Sequence, residues 1–146
     1  MKKLLIASLF LLAYNITLAG DPKTERLKQL VKPGNRVFIT ATNEKAKRHT
    51  KKLLKHECWT IVSNADSADF VLKVYEKMTF LDYFAYAAII DPTTKEELYR
   101  TPTTNTLMRM TFSAKKAAVK KLIKRKVIPM CAPSFIENLE YGNSSF

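Results

Sequence analysis

Seven residues, Phe84-Ala85-Tyr86-Ala87-Ala88-Ile89-Ile90, carry no charge, and Asp91-Pro92-Thr93-Thr94-Lys95 follows at once. This junction constrains the fold more than any other part of the chain. A helix does not run on through Asp-Pro, and the apolar run is too short to be read as a buried helix of ordinary length. Such a run, stopped by turn residues, predicts a strand near the centre of a sheet. Glu96–Thr101 then resumes in alternation, Leu98 and Arg100 on one parity and Glu97, Tyr99 and Thr101 on the other. The two stretches predict a hairpin whose turn holds Pro92 where no ladder donor is needed.

A sheet needs further strands. Arg36–Thr42 is rich in β-branched and aromatic residues, Trp59–Val62 is a short second strand, and Ala68–Glu76 places Phe70, Leu72 and Val74 on one parity. The connections between them are helical in pattern. Asn43 can cap a helix over Glu44–Glu57 with Ala46, Thr50, Leu53 and Leu54 at helical spacing. Ser113 can cap Ala114–Lys126, with Ala118, Val119, Leu122, Ile123 and Val127 inward and Pro129 as the stop. Asp21-Pro22 opens a short helix over Lys23–Val31. Leu107–Phe112 reads as a further extended segment or as a direct lead into the helix. Ser134-Phe135-Ile136-Glu137 has capping-box spacing, and Gly142 can stop a last helix. The pattern predicts an α/β two-layer sandwich, a mixed four- or five-stranded sheet with its two main helices on one face.

The first residues do not belong to this unit. Lys2 and Lys3 precede an apolar run over Leu4–Ala13, and a polar stretch ends in Thr17-Leu18-Ala19. That is the pattern of a secretory signal peptide over residues 1–19, too short in its apolar part to span a bilayer. No cysteine stands at the cleavage site, so the expectation is a periplasmic or secreted protein without a lipid anchor. Residues 20–146 are then one globular domain, with a core over about 36–127 and a tail over 128–146. Export also suits the two cysteines, Cys58 and Cys131, as a candidate disulfide; two buried free thiols are the alternative.

The chain is basic, with 25 Lys and Arg against 13 Asp and Glu and a net charge of +12. Lys115, Lys116, Lys120, Lys121, Lys124 and Arg125 fall off the apolar stripe of one predicted helix. They are candidate anion contacts, for an anionic polymer or membrane headgroups, or simply a solvated face. Nucleic acid is disfavoured, because no aromatic stacking positions interleave with these cations.

Signals for catalysis are weak. His49 and His56 sit two helical turns apart, too far to chelate one metal without a third ligand. Asp66 and Asp69 fit a loop and a strand entry. The chain has three glycines, Gly20, Gly34 and Gly142, and none forms a phosphate-binding loop. Cys58 beside His56 is a helix-end cysteine of an exported chain, which favours a structural role over a nucleophile. No cofactor or metal is expected. The aromatic stretch Phe80-Leu81-Asp82-Tyr83-Phe84 is the candidate protein contact, through Phe80, Leu81, Tyr83 and Phe84; closure of the core end is the alternative.

Two segments also carry a resemblance. Ala68-Asp69-Phe70-Val71-Leu72 and Ile90-Asp91-Pro92-Thr93-Thr94-Lys95-Glu96-Glu97-Leu98-Tyr99, in this order of strands and helices, resemble a small periplasmic domain. It is shared by the N-terminal domain of TolB and by the curli-secretion and penicillin-binding-protein activator lipoproteins. The resemblance spans about Arg36–Val127 and implies a protein-interaction module of the cell envelope without catalysis. Together these readings predict an exported, non-catalytic binding or accessory protein with an envelope protein as partner. The alternative is a basic protein that binds an anionic surface.

Overall fold

The computed structural model describes residues 21–107 and 114–140. The expected signal peptide, most of the Leu107–Phe112 segment, the expected Ser113 cap and the expected Gly142 stop lie outside them.

The first helix, α1, spans Pro22–Leu30, and Asp21 caps it by accepting from the Lys23 amide. Strand β1 is Arg36–Ala41, helix α2 is Glu44–Leu54, and β2 is Thr60–Val62. A single 3-10 turn, Ala65–Ser67, leads into β3, Phe70–Met78, which is followed by β4, Asp82–Ile90. Strands β5, Glu97–Arg100, and β6, Thr104–Leu107, come next, then helix α3, Ala114–Leu122. The last helix, α4, is Pro133–Glu140.

The sheet runs β2-β1-β3-β4-β5, with β6 also on β4. Pairings of β1 with β2 and β3 are parallel; those of β4 with β3, β5 and β6 are antiparallel. The sheet is mixed, and β4 lies inside it, paired on both sides, as the uncharged run Phe84–Ile90 predicts. β5 and β6 divide one edge between them. β5 pairs at Ala88–Ile90, β6 pairs at Asp82–Ala85, and the Thr101 amide and hydroxyl bridge the gap at Ala87.

Register assigns the faces. Val37, Ile39, Phe70, Leu72, Val74, Tyr83, Ala85, Ala87 and Ile89 share one face and are buried. On them pack Ala46 and Leu54 of α2 and Ala118, Val119 and Leu122 of α3, so both main helices cover the same side. Burying a Val, Leu or Ile fully stabilises by about 1.5–3 kcal/mol. Like charges one helical turn apart cost only about 0.2–0.5 kcal/mol per pair, so the inward stripe outweighs the repulsion of the lysines outside.

Local departures from the sequence pattern have local causes. Helix α2 ends at Leu54 rather than Glu57, because Cys58 and Trp59 must turn back to the core. There the Gly34 amide donates to the Cys58 carbonyl at 2.7 Å and Trp59 Nε1 donates to the Val31 carbonyl at 2.9 Å. After Leu122 the chain widens into a π turn over Ile123–Val127, which keeps Ile123 and Val127 inward, and Pro129 falls in a 3-10 turn, Ile128–Cys131. Helix α4 begins at Pro133, ahead of the expected Ser134 cap, since proline lacks the amide that a first-turn residue leaves unused. Cys58 and Cys131 are joined as a disulfide, with Cα atoms 6.0 Å apart. Among the described residues no helix is long and apolar enough to cross a membrane.

Candidate functional site

The alternation of β4 divides the aromatic stretch among three environments. Tyr83 points to the helices and is 5% exposed, so it closes the core end and is not a surface contact. Phe84 lies on the opposite face, half-buried, in one row with Lys77 and Asn105. Phe80 and Leu81 form the tip of the β3–β4 hairpin and are 94% and 49% exposed; Met78 beside them is 59% exposed.

The tip is closed by its neighbours. The Thr79 amide donates to the Asp82 carbonyl at 2.9 Å, and the Asp82 amide donates to Thr79 Oγ1 at 3.2 Å. Two-residue tips favour glycine or asparagine. Phe80 and Leu81 therefore answer neither to turn chemistry nor to the core.

Beneath the tip, at the end of the sheet where α2 and α3 begin, lies a cleft of about 990 Å³. Its cations are Lys45 and Arg48 from α2 and Lys115 and Lys116 from α3; its carboxylates are Glu44 and Glu76. Lys47 engages Glu44 at 3.3 Å. Glu76 accepts from the Asn43 side chain and lies against the Tyr83 phenol, whose pKa is pushed up to about 12 by burial and then by that carboxylate. Lys115 Nζ stands 5.6 Å from the centre of the Tyr83 ring. His49, half-buried in the same wall, is held below its ordinary pKa, first by burial and then by Lys116, Lys120 and Lys52, and its Nε2 has no partner. The site is a recess in which four cations stand beside two engaged carboxylates and the His49 imidazole.

The expected anion contacts are not one surface. Lys115 and Lys116 join the cleft, while Lys121 donates to the Asn105 carbonyl at 3.3 Å. Lys124 and Arg125 fall in the π turn, about 12 Å farther along the helix by its rise per residue. Replacing Lys120, Lys124 and Arg125 by Gln should change stability by less than about 0.5 kcal/mol in denaturant unfolding; a larger loss would show that this face does more than meet water. His56 is exposed in the turn after α2, and Asp69 is held by Arg36, whose Nη2 donates at 3.0 Å, apart from exposed Asp66. Among the described residues no three His, Cys, Asp or Glu side chains gather to hold a metal. The cleft as a whole escaped sequence reading, although Lys115 and Lys116 were marked, because its residues come from three separated segments with no local pattern joining them.

The other face of the sheet carries a second set. Phe38, Val71 and Ile90 form one row, and Tyr75 stacks on Tyr86 with ring centres 4.7 Å apart. Lys73 Nζ lies 4.8 Å from the Tyr75 ring and the Arg100 guanidinium 5.1 Å from the Tyr86 ring.

No family model matches this chain, and no curated protein matches it. Solved structures do. A PelC variant from Paraburkholderia phytofirmans, a dodecamer, is 15% identical over 69% of this chain and 91% of its own, with a TM-score of 0.51. TolB from Acinetobacter baumannii is 14% identical over 75% of this chain and 29% of its own, with a TM-score of 0.43. The C-terminal domain of LpoB from Salmonella enterica is 9% identical over 59% of this chain and 98% of its own, with a TM-score of 0.38. TolB, named above from sequence resemblance, is thus among the structural neighbours, and at these identities what the chain shares with the PelC structure is its fold.

Proposed function

We propose that this chain is an exported, non-catalytic accessory protein of the bacterial cell envelope that binds other envelope proteins through the uncovered face of its sheet. The observation that carries this reading is the outward row of β4. A sheet face turned to water ordinarily alternates to polar residues, yet Phe84, Tyr86 and Ile90, half-buried, lie on this face beside Phe38, Val71 and Tyr75, and Ala88 among them is buried. No described helix packs on them. Tyrosines with Arg100 and Lys73 over their rings are the residue types that dominate protein interfaces. The leader and the disulfide support export. A second copy of this chain is one such partner, as the PelC structure is a dodecamer.

The test is cross-linking in the native envelope fraction followed by recovery of the chain, with its mass measured in parallel. The double variant Tyr86→Ser/Ile90→Ser should keep its fold and lose its partner, or its self-association, by at least about 30-fold, the scale of an interface hot spot. Unchanged recovery and unchanged mass for this variant would remove the sheet face from the function.

A further inference from the structure

The hairpin tip stands apart from that face and asks for a different partner. Met78, Phe80 and Leu81 are the large apolar side chains exposed among the described residues; Phe80 and Leu81 form the tip of the hairpin, and Met78, at the end of β3, lines the edge of the cleft. Burial in the core, turn chemistry and strand pairing each leave Phe80 unexplained. Around this point the charges are mostly of one sign. Lys77 is exposed on β3 next to Met78, and the cleft below supplies Lys45, Arg48, Lys115 and Lys116. No carboxylate among the described residues pairs with these five. Glu44 and Glu76 are engaged as described, and Asp82 completes the acids at this end, its Oδ1 buried without a partner. Helices α2 and α3 also turn their positive ends this way, which adds to the field of the lysines.

We propose that this end of the molecule docks on an anionic lipid surface. Met78, Phe80 and Leu81 enter the boundary between headgroups and acyl chains, while the cations around the cleft meet the lipid phosphates. An exposed apolar tip beside a group of cations is how interfacial anchors divide the work, apolar burial setting depth and lysines selecting anionic headgroups. A protein partner would more naturally be met by a flat, broad patch such as the sheet face. Docked in this way, the chain keeps its sheet face free for the partner proposed above.

The test uses the processed chain recovered from the periplasmic fraction, sedimented with vesicles of phosphatidylglycerol and phosphatidylcholine or of phosphatidylcholine alone, at about 0.15 M salt. The chain should bind the anionic vesicles and not the neutral ones. Phe80→Ser/Leu81→Ser should weaken binding at least about 10-fold, and Lys45→Gln/Lys115→Gln/Lys116→Gln about 100-fold, since each cation near such a surface is worth about a factor of five. Lys124→Gln/Arg125→Gln, far from the tip, should change nothing. A Phe80→Trp reporter should shift its emission to the blue on anionic vesicles, while Trp59, 4% exposed, stays unmoved. Absence of binding overturns the proposal, as does equal binding to neutral vesicles. Binding that survives loss of Phe80 and Leu81 would reduce it to charge adsorption. A cross-linked protein lost with Phe80→Ser/Leu81→Ser, with vesicles left unbound, would assign the tip to a protein instead. None of these outcomes bears on the sheet-face variants, so the two readings fail separately.

Discussion

Reducing the Cys58–Cys131 disulfide should lower the unfolding free energy by about 4 kcal/mol, the chain-entropy value for a loop of this length. The two cysteines are 73 residues apart in sequence, and the loop they close holds β2, β3, β4, β5, β6 and α3. Without the bond, the unfolded chain regains the freedom of that loop while the folded chain loses little contact. Both ends sit on well-packed ground, beside Trp59 at 4% and Met130 at 0% exposure. A domain of this size has about 5–15 kcal/mol in total, so the loss would take a large share of its margin. Denaturant unfolding with and without reductant measures it, and Cys58→Ser/Cys131→Ser should reproduce the reduced value. An unchanged midpoint after reduction would mean that the loop is already ordered in the unfolded chain. Protein from its own compartment should also show no titratable thiol when denatured without reductant.

Elements whose apolar spacing is strong were legible from sequence. The stripe Ala118, Val119, Leu122, Ile123 and Val127 is inward throughout, although the backbone carrying it changes from α to π within it. Phe70, Leu72 and Val74 are buried on one parity, as alternation requires. The hairpin at Asp91 was readable because turn residues interrupt an uncharged run. Strand β6 was not, since Thr104-Asn105-Thr106 is polar and follows Pro102, and its place depends on β4 reaching back to Asp82. That same extension decides the fate of the aromatic stretch. With the strand begun at Phe84, Phe80 to Tyr83 read as one connection. With it begun at Asp82, alternation sends Tyr83 inward and Phe84 outward and leaves Phe80 and Leu81 at the tip. A two-residue shift in one boundary thus separates a core residue, a sheet-face residue and an exposed anchor. Of the basic cleft only Lys115 and Lys116 were marked in the sequence, as cations of one helix; their meeting with Lys45 and Glu76 had no signal, because it depends on α2, β3 and α3 being in place.

Replacing Asp91 by alanine should destabilise the fold by about 2 kcal/mol, within the range for leaving the hydrogen-bond partners of a removed acceptor unpaired. The Asp91 residue is 2% exposed, and its carboxylate joins two parts of the chain. Oδ2 accepts from Arg26 Nε of α1 at 2.7 Å, and Oδ1 accepts from the Thr93 amide at 2.8 Å and the Thr94 amide at 3.4 Å. Its backbone closes the β4–β5 turn, donating to the Glu96 carbonyl at 3.0 Å and accepting from the Lys95 amide at 2.9 Å, while Lys95 takes the left-handed conformation at φ 62°. Alanine would leave the turn amides unpaired, whereas the Arg26 side chain, 43% exposed, would return to water at little cost, which keeps the loss from being larger. Asparagine keeps an oxygen for the amides and should cost roughly 1–2 kcal/mol. The same contacts fix the pH response. Arg26 first, then the two amides, hold the Asp91 carboxyl below the usual carboxylate range, against the upward pull of burial. The folded chain therefore keeps this charge to lower pH than the unfolded chain does. Its stabilisation is complete above the ordinary aspartate value of about 3.9 and is lost as the pH falls through the folded value. Asp69, depressed by Arg36 but a third exposed, acts in the same sense and more weakly. Urea unfolding from pH 7 down to pH 3 should show the wild-type advantage over Asp91→Asn shrinking only below about pH 4. An advantage that is constant across that range, or an alanine variant within about 0.5 kcal/mol of wild type, would mean that the Asp91 carboxylate does not tie the turn to α1.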